Sequence, residues 1–414
     1  MALIISAPKD KIQAVVQLPS SKSISNRVLI IRSLCKEHFN IQNLSQGNDT
    51  QTLQYALDNI NKMSSFNVGD AGTAMRFLTA LFSVIPGKRI LKGSARMHQR
   101  PIGPLVDSLQ MLGASINCLG KSGFPPLKIT GKELDGGTIN LKSDKSSQFA
   151  SAMMMIAPAL KKGLDLHLSA KVVSHPYIKM TQSVMSNFHV TADVTKDNIH
   201  INPQVYIPSD YQIEPDWSAA AFWFEIVALS EEANILIPRL KKNSIQGDKV
   251  IEQIMNSFGV STDFTNQGIK IKKIAIKPQK KSRFDFTSFP DLVQPVAVCC
   301  AALGIDADFK GIETLRIKET DRIKALETEL KKINVRTKSS AGTLSLNCQD
   351  TDTRISSVSF KCYGDHRMAM ALAPLAIKYN TVRIDDEKVV DKSFPTYWQE
   401  LKKAGFKIKT PLKI

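Results

Sequence analysis

Six stretches of the chain lead a small, hydroxylated or acidic loop into a strongly apolar run. They are S-S-K-S-I-S-N-R (20–27), G-D-A-G-T-A-M-R (69–76), S-S-Q-F (146–149), E-P-D-W-S (214–218), F-P-D-L-V-Q (289–294) and G-D-H-R-M-A (364–369). Each reads as the start of a helix. The first-turn N–H groups of a helix lack partners and sit at the positive end of its dipole, so such a start holds anions. Lys22, Arg27, Arg76 and Arg367 lie inside these strings. Arg offers a planar fork to carboxylate or phosphate, and Lys offers a point charge that can also move a proton. The chemistry suggested is the capture of small anions. Plainer roles suit the same residues: Ser146, Ser147, Asp216, Asp291 and Asp365 as helix caps, and Arg27, Arg76 and Arg322 as solvated or salt-bridged helix positions.

The elements that carry these residues recur. Taking Ser23, Gly72, Ser147, Asp216, Asp291 and Asp365 as markers, the steps are about 70–75 residues except the first, which is shorter. A second pattern has the same period: a helix end, then Gly113, His189, Gly259, Asn334 or Gly405, then a short strand. Gly and Asn favour the left-handed conformation that closes a helix, and His tolerates it better than most residues. Asn59 would be the cap of a weaker first copy. Two markers with one period indicate six copies of an α/β unit, the first truncated by about one hairpin. In each unit one helix is apolar nearly all round and reads as buried, while the other carries charge and reads as solvent-facing. Lys270–Lys277 alternates Ile with Lys and reads as a protected edge strand, with a nucleic-acid patch as the alternative. Six units divide most simply three and three, with the change near Tyr211–Pro215.

Composition sets the outer bounds. A chain of 414 residues with 43% hydrophobic residues can build more than one core. The longest apolar runs, Phe149–Leu160 and Leu292–Ile305, are too short to span a bilayer, which needs about 20 residues. The first ten residues show no signal-peptide pattern, which leads to the expectation of a cytoplasmic location. Six cysteines form no C-x-x-C pair, and Cys299 and Cys300 sit in an apolar run as small hydrophobes. The net charge of +17 points to anionic partners. An RNA-binding protein would concentrate that charge in a tail or among aromatic motifs, whereas aromatics are only 7% and the cations are dispersed.

At these points the sequence resembles the 5-enolpyruvylshikimate-3-phosphate synthase family of enolpyruvyl transferases. The resemblance covers essentially the whole chain. Besides the strings above it is carried by R-P-I-G-P-L-V-D-S-L (100–109), S-H-P-Y-I (174–178), I-K-E-T-D-R (317–322) and K-S-F-P-T-Y (392–397), in the family's order. It implies an α/β fold of two similar domains, each three βαβαββ-type units around buried helices, an inside-out α/β barrel. One domain would comprise 1–15 plus 213–414 on the phosphoenolpyruvate side, the other 16–212 on the shikimate 3-phosphate side, with the active site in the cleft and closure on substrate. It further implies transfer of the enolpyruvyl group of phosphoenolpyruvate to the 5-hydroxyl of shikimate 3-phosphate with release of phosphate. No cofactor or metal is expected, nor any nucleic-acid or membrane partner, and the chain is expected to be a monomer.

Carried over residue by residue, the resemblance assigns Lys22, Ser23, Arg27, Ser146, Ser147, Gln148, Ser174, Asp291 and Lys318 to shikimate 3-phosphate. Phosphoenolpyruvate falls to Lys22, Gly72, Arg100, Gln148, Arg322, Arg367 and Lys392. Asp291, the single carboxylate of F-P-D-L, is the expected base, with Lys22 and Glu319 as candidate acids and His366 as a further candidate or a neutral positioner. Three positions depart from the pattern: Asp70 replaces an Asn, Phe77 a Pro and Thr314 an Asn. Phe77 stands five residues after Gly72, close to where glyphosate, the family's inhibitor, extends, and reads either as a cause of a small shift of Gly72 or as a packing residue. The sister enzyme acting on UDP-N-acetylglucosamine has a Cys five residues before the Arg matched by Arg100. Here that position is Ala95.

Overall fold

The computed structural model describes residues 1–142, 146–169, 173–276, 279–352 and 354–411. The chain divides into two compact units. Ser20–Ile213 forms a middle unit; Met1–Pro19 and Glu214–Ile414 together form a terminal unit.

Three inner helices of the middle unit are α1 (Lys22–Leu34), α3 (Gly72–Val84) and α5 (Ser147–Ile156). Helix α3, T-A-M-R-F-L-T-A-L-F-S, is buried from Gly72 to Ser83; its polar side chains Arg76, Thr79 and Ser83 are accommodated by donating to backbone carbonyls of the same helix. Outer helices α2 (Asn48–Asp58), α4 (Gly103–Met111) and α6 (His175–Asn187) each bury one side only. The terminal unit repeats the plan with α7 (Trp217–Leu229), α9 (Val293–Ala302) and α11 (His366–Leu372) inside. Its outer helices are α8 (Ile251–Asn256), α10 (Arg322–Leu330) and α12 (Tyr397–Lys403). Every residue of α9 is buried, Cys299 and Cys300 included. Pro295 is tolerated there because it lies in the first turn.

Among the described residues, five four-stranded sheets share one pattern. In the middle unit Ser65–Asn67 pairs parallel with Gly87–Lys92, which pairs antiparallel with Leu127–Gly131 and then Ser115–Cys118. In the terminal unit Ile12–Val15 pairs parallel with Ala233–Pro238, followed by antiparallel Gly268–Lys273 and Val260–Thr265. The sixth sheet keeps only the parallel pair, Ile41–Gln42 with Tyr211–Gln212. The hairpin that should follow α2 is the missing piece. The sheet Ser357–Phe360, Thr381–Ile384, Leu3–Ser6, Lys407–Lys409 takes its third strand from the start of the chain. No described helix is long and apolar enough to cross a membrane.

Gly113, His189, Gly259, Asn334 and Gly405 all adopt positive φ, between 59° and 95°, as their cap positions require. Asn59 does not; its φ is −113°, and α2 ends without a left-handed cap because no hairpin follows. The Lys-rich strand is also not an edge. Gly268–Lys273 lies between two neighbours. Its charges are used locally: Lys272 pairs with Asp263, and Lys273 Nζ donates to Ala228 O at 2.6 Å and Phe258 O at 3.2 Å. Lys277 lies outside the described residues. The chain crosses between units after Pro19 and Ile213 rather than after 15 and 212. Residues 16–19 stay with the terminal unit because Val16 N donates to Leu236 O and Pro19 O accepts from Asp216 N.

Candidate functional site

In the middle unit the helix starts carry two cation groups. Lys22, in the first turn of α1, places Nζ 3.0 Å from Asp49 Oδ2, an acid in the first turn of α2. Gly72 opens α3 beneath two guanidinium groups. A Cβ there would lie 2.7 Å from Arg100 Nη1 and 2.8 Å from Arg76 Nη1, so only glycine admits both forks at this distance. Arg76 Nη1 donates to Gly72 O at 2.8 Å. Next along the helix, Thr73 Oγ1 accepts from Gln148 Nε2 at 3.1 Å, which links the starts of α3 and α5. Ser146 caps α5 by accepting from Gln148 N at 3.2 Å, and Ser147 is buried. Ser174 precedes α6 in the left-handed region, φ 58°.

Arg27 is turned inward. It donates to Thr181 Oγ1 (2.7 Å), Ser151 Oγ (3.0 Å), Ser23 O (2.7 Å) and Tyr177 O (3.3 Å), and lies over the Phe77 ring at 5.5 Å. Burial pushes its guanidinium down to about 10. These contacts tie α1 to α5 and α6, and they leave one N–H of Nη1 for anything else. The residue is neither solvated nor salt-bridged, because hydroxyl and carbonyl oxygens satisfy it instead. Phe77, fully buried, is the platform under it.

The terminal unit assembles a denser group. Asp291 Oδ1 lies 3.1 Å from Arg322 Nη1 and 3.6 Å from Lys318 Nζ. Arg367 straddles it, with Nη1 donating to Asp291 O at 3.0 Å and Nη2 to Oδ2 at 3.1 Å. Arg322 Nε and Nη2 also bind Asp365 at 2.7 and 3.3 Å, and Nη2 reaches Glu319 at 3.1 Å. Burial alone would lower the Arg322 pKa, but Asp365, Glu319 and Asp291 together raise it. Glu319 Oε1 lies 3.7 Å from Lys392 Nζ. His366 Nδ1 meets Ser393 Oγ, beside Lys392. Asp216 and Asp365 cap their helices, accepting from Ser218 N and Arg367 N at 2.8 Å each. Asp291 is therefore not a lone carboxylate and not a cap. It sits in the turn Pro290–Leu292 among three cations and near other carboxyls.

Two acids escaped the sequence reading. Asp49 holds Lys22; its only signal was an acid in the first turn of a second helix. Asp248 is buried beside the Asp291 group, and burial together with Asp291 pushes its carboxyl up to about 7. Its only signal was S-I-Q-G-D, a polar turn between a strand and α8. Of the departures, Asp70 takes a hydrogen bond from Ser94 Oγ, and Thr314 Oγ1 is buried with no hydrogen-bond partner among the described residues.

Among the described residues no set of three or more His, Cys, Asp and Glu is arranged to hold a metal ion. What the geometry offers is hydrogen-bond forks and point charges aimed at anions, with carboxylates among them for proton transfer.

Comparison with known proteins agrees with this. The family model described as EPSP synthase (3-phosphoshikimate 1-carboxyvinyltransferase) matches residues 6–67 and 60–401. The 3-phosphoshikimate 1-carboxyvinyltransferase of Bacteroides fragilis strain YCH46 is 45% identical over 411 residues, covering 99% of each chain. That of Idiomarina loihiensis is 32% identical over 421 residues, covering 95% of this chain and 96% of its own. Among solved structures, EPSP synthase from Acinetobacter baumannii superimposes with a TM-score of 0.80 at 18% identity, covering 99% of this chain and all of that one. The enolpyruvyl transferase NikO from Streptomyces tendae gives 0.75 at 15% identity, covering 99% of each chain. With a family match along nearly its whole length and full-length relatives above 30% identity, the chain belongs to the EPSP synthase (3-phosphoshikimate 1-carboxyvinyltransferase) family.

Proposed function

We propose that the chain transfers the enolpyruvyl group of phosphoenolpyruvate to the 5-hydroxyl of shikimate 3-phosphate and releases phosphate. The observation that carries the reading is the Asp291 group, where one carboxylate is oriented by Lys318, Arg322 and Arg367. Both substrates are small polyanions, and such forks and point charges neutralise them.

Lys22, Ser23, Ser146, Ser147, Gln148, Ser174, Asp291 and Lys318 are the proposed ligands of shikimate 3-phosphate. Arg27 joins them mainly by fixing Ser23 and the starts of α5 and α6. Gly72, Arg100, Gln148, Arg322, Arg367, Lys392 and Lys22 are the proposed ligands of phosphoenolpyruvate. Asp291 takes the proton of the 5-hydroxyl as its oxygen bonds to C2 of phosphoenolpyruvate. An acid, Lys22 or Glu319, protonates the methylene carbon. In the second half the C2–O(phosphate) bond breaks, a methyl proton is returned to the protein, and the double bond re-forms. Lys22 is held by Asp49, and Glu319 lies between Arg322 and Lys392, so each has an opposite charge beside it.

The chain is taken to act as a cytoplasmic monomer, which sedimentation and fractionation test. Activity is tested by phosphate release from phosphoenolpyruvate with shikimate 3-phosphate, against UDP-N-acetylglucosamine as control acceptor. Release with the control alone would assign the chain to the sister reaction.

A further inference from the structure

We propose that Tyr363 is a positioning residue for Arg367: its hydroxyl, bound to the buried Glu329 carboxylate, holds the turn from which Arg367 reaches Asp291. This rests on the role given above to Arg367 as a ligand of phosphoenolpyruvate.

The chain enters α11 through the turn 362–365. Asp365 N donates to Cys362 O at 2.9 Å, and both central residues have positive φ, 56° at Tyr363 and 68° at Gly364. That is the pattern of a type I′ turn, which suits Asn, Asp or Gly at its first central position. Tyr is a poor choice there, because a bulky side chain is strained in the left-handed region. Packing does not account for it, since the residue is 37% exposed. What holds it is the hydroxyl. Tyr363 Oη donates to Glu329 Oε1 at 2.5 Å, and Glu329 is fully buried. The second oxygen of Glu329 accepts from Lys361 N at 2.9 Å and from Lys332 Nζ at 2.6 Å. Cys362 N donates to Asp385 Oδ1 at 2.8 Å. A hydroxyl bonded to a carboxylate is a strong anchor, and here it opposes the backbone preference of the residue that carries it.

One helix grips the turn at two places. Arg322 and Glu329 stand seven residues apart on α10, two helical turns, and so share a face. Arg322 binds the Asp365 carboxylate at 2.7 and 3.3 Å, while Glu329 takes Lys361 N and Tyr363 Oη. Two residues after Asp365, Arg367 donates to Asp291 O at 3.0 Å and Asp291 Oδ2 at 3.1 Å. Arg322 therefore fixes the end of the turn and Glu329 its beginning and middle. Without the Oη bond, Tyr363 is free to return to negative φ, which re-aims the peptides entering α11 and Arg367 with them. A guanidinium fork meets an anion at two points, so a small displacement costs affinity.

The test is steady-state kinetics of the native protein, Tyr363→Phe and Tyr363→Asn, each checked by a thermal melt. Tyr363→Phe removes only the hydroxyl. Its KM for phosphoenolpyruvate should rise roughly tenfold or more, and its KM for shikimate 3-phosphate by less. Tyr363→Asn also lacks the hydroxyl, but Asn followed by Gly is the pair that a type I′ turn prefers, so KM should return to within about twofold of native. A residue serving stability alone would lower the melt in both variants and leave KM unchanged in both. Native KM in folded Tyr363→Phe, or a Tyr363→Asn as impaired as Tyr363→Phe, overturns the proposal. Should Tyr363→Phe melt below the assay temperature, Tyr363→Asn decides alone: native KM supports the turn's role, and a raised KM overturns it. The two possible failures are separable. A native protein that releases no phosphate removes the role of Arg367 and this inference with it, whereas an active native protein with native KM in Tyr363→Phe removes only the role of Tyr363.

Discussion

Asp291 lies within 3.1–3.6 Å of three cations, and removing it would leave them facing one another. Asp291→Asn keeps the shape and removes the base, so it should fold and lose kcat by 10²-fold or more. Near-native kcat in a folded variant would take Asp291 out of the chemistry. Gly72 makes a different kind of prediction. A Cβ there lies under 3 Å from two guanidinium groups, whose ends are flexible and will give way. Gly72→Ala should therefore melt within a few degrees of native yet raise the KM for phosphoenolpyruvate about tenfold or more, with a smaller effect on shikimate 3-phosphate. An unchanged KM would mean that Arg100 does not grip that substrate. At this scale the sequence put Asp291 at a helix start with cap and base both open, and the structure places it among Lys318, Arg322 and Arg367. The sequence was silent on Asp49 and Asp248, whose significance comes from elements far apart in the chain. It also gave no hint that Arg27 would spend its fork on Ser151, Thr181 and two carbonyls rather than on solvent.

The elements were largely legible because each unit repeats. Two markers with one period located the helix starts and ends, and five of the six expected caps are left-handed; Asn59 is the exception, so residue chemistry sets the cap only where a hairpin follows. Strand order was not legible: a Lys–Ile alternation says which face is wet, not whether a strand has one neighbour or two. Helix α7 holds a residue that its own pattern argues against. Glu225 is fully buried in W-S-A-A-A-F-W-F-E-I-V-A-L, and neither carboxyl oxygen has a hydrogen-bond partner among the described residues. Burial raises its pKa well above the ordinary value, so the folded state keeps a proton that the unfolded state releases above about 4.3. Its contribution to stability therefore falls as pH rises from that value toward the folded pKa. Glu225→Met should stabilise the terminal unit at neutral pH by about 1–3 kcal/mol, the usual cost of an unsatisfied buried polar group. The gain should shrink toward pH 4. A variant less stable than native in urea at pH 7 would show that Glu225 has a partner worth keeping. Phe77 belongs here too. Phe77→Ala should cost about 3–5 kcal/mol and release Arg27 from its platform. Its placement supports the packing reading. Whether it also moves Gly72 is tested by comparing the glyphosate inhibition constant with the phosphoenolpyruvate KM in Phe77→Leu.

For the whole molecule the net charge of +17 is a field as well as a solubility device. Both proposed substrates are polyanions, so KM for each should rise as salt goes from about 0.02 to about 0.3 M, where the Debye length shortens several-fold, while kcat changes little. Flat KM values across that range would show that only the local ligands matter. The total charge was plain from composition; its use was not, because dispersed cations become a site only after folding. One further feature of the chain has an engineering consequence. The strands Leu3–Ser6 and Lys407–Lys409 are hydrogen-bonded neighbours, with Ile4 opposite Lys409. The first and last described strands thus meet on one sheet, where a linker could join them. The abbreviated first repeat, where the chain passes from α2 to Ser65–Asn67 without a hairpin, offers another place to cut. A circular permutant that joins these strands through a short flexible linker and begins at Lys62 should fold and turn over, since the three cation groups and every paired strand stay intact.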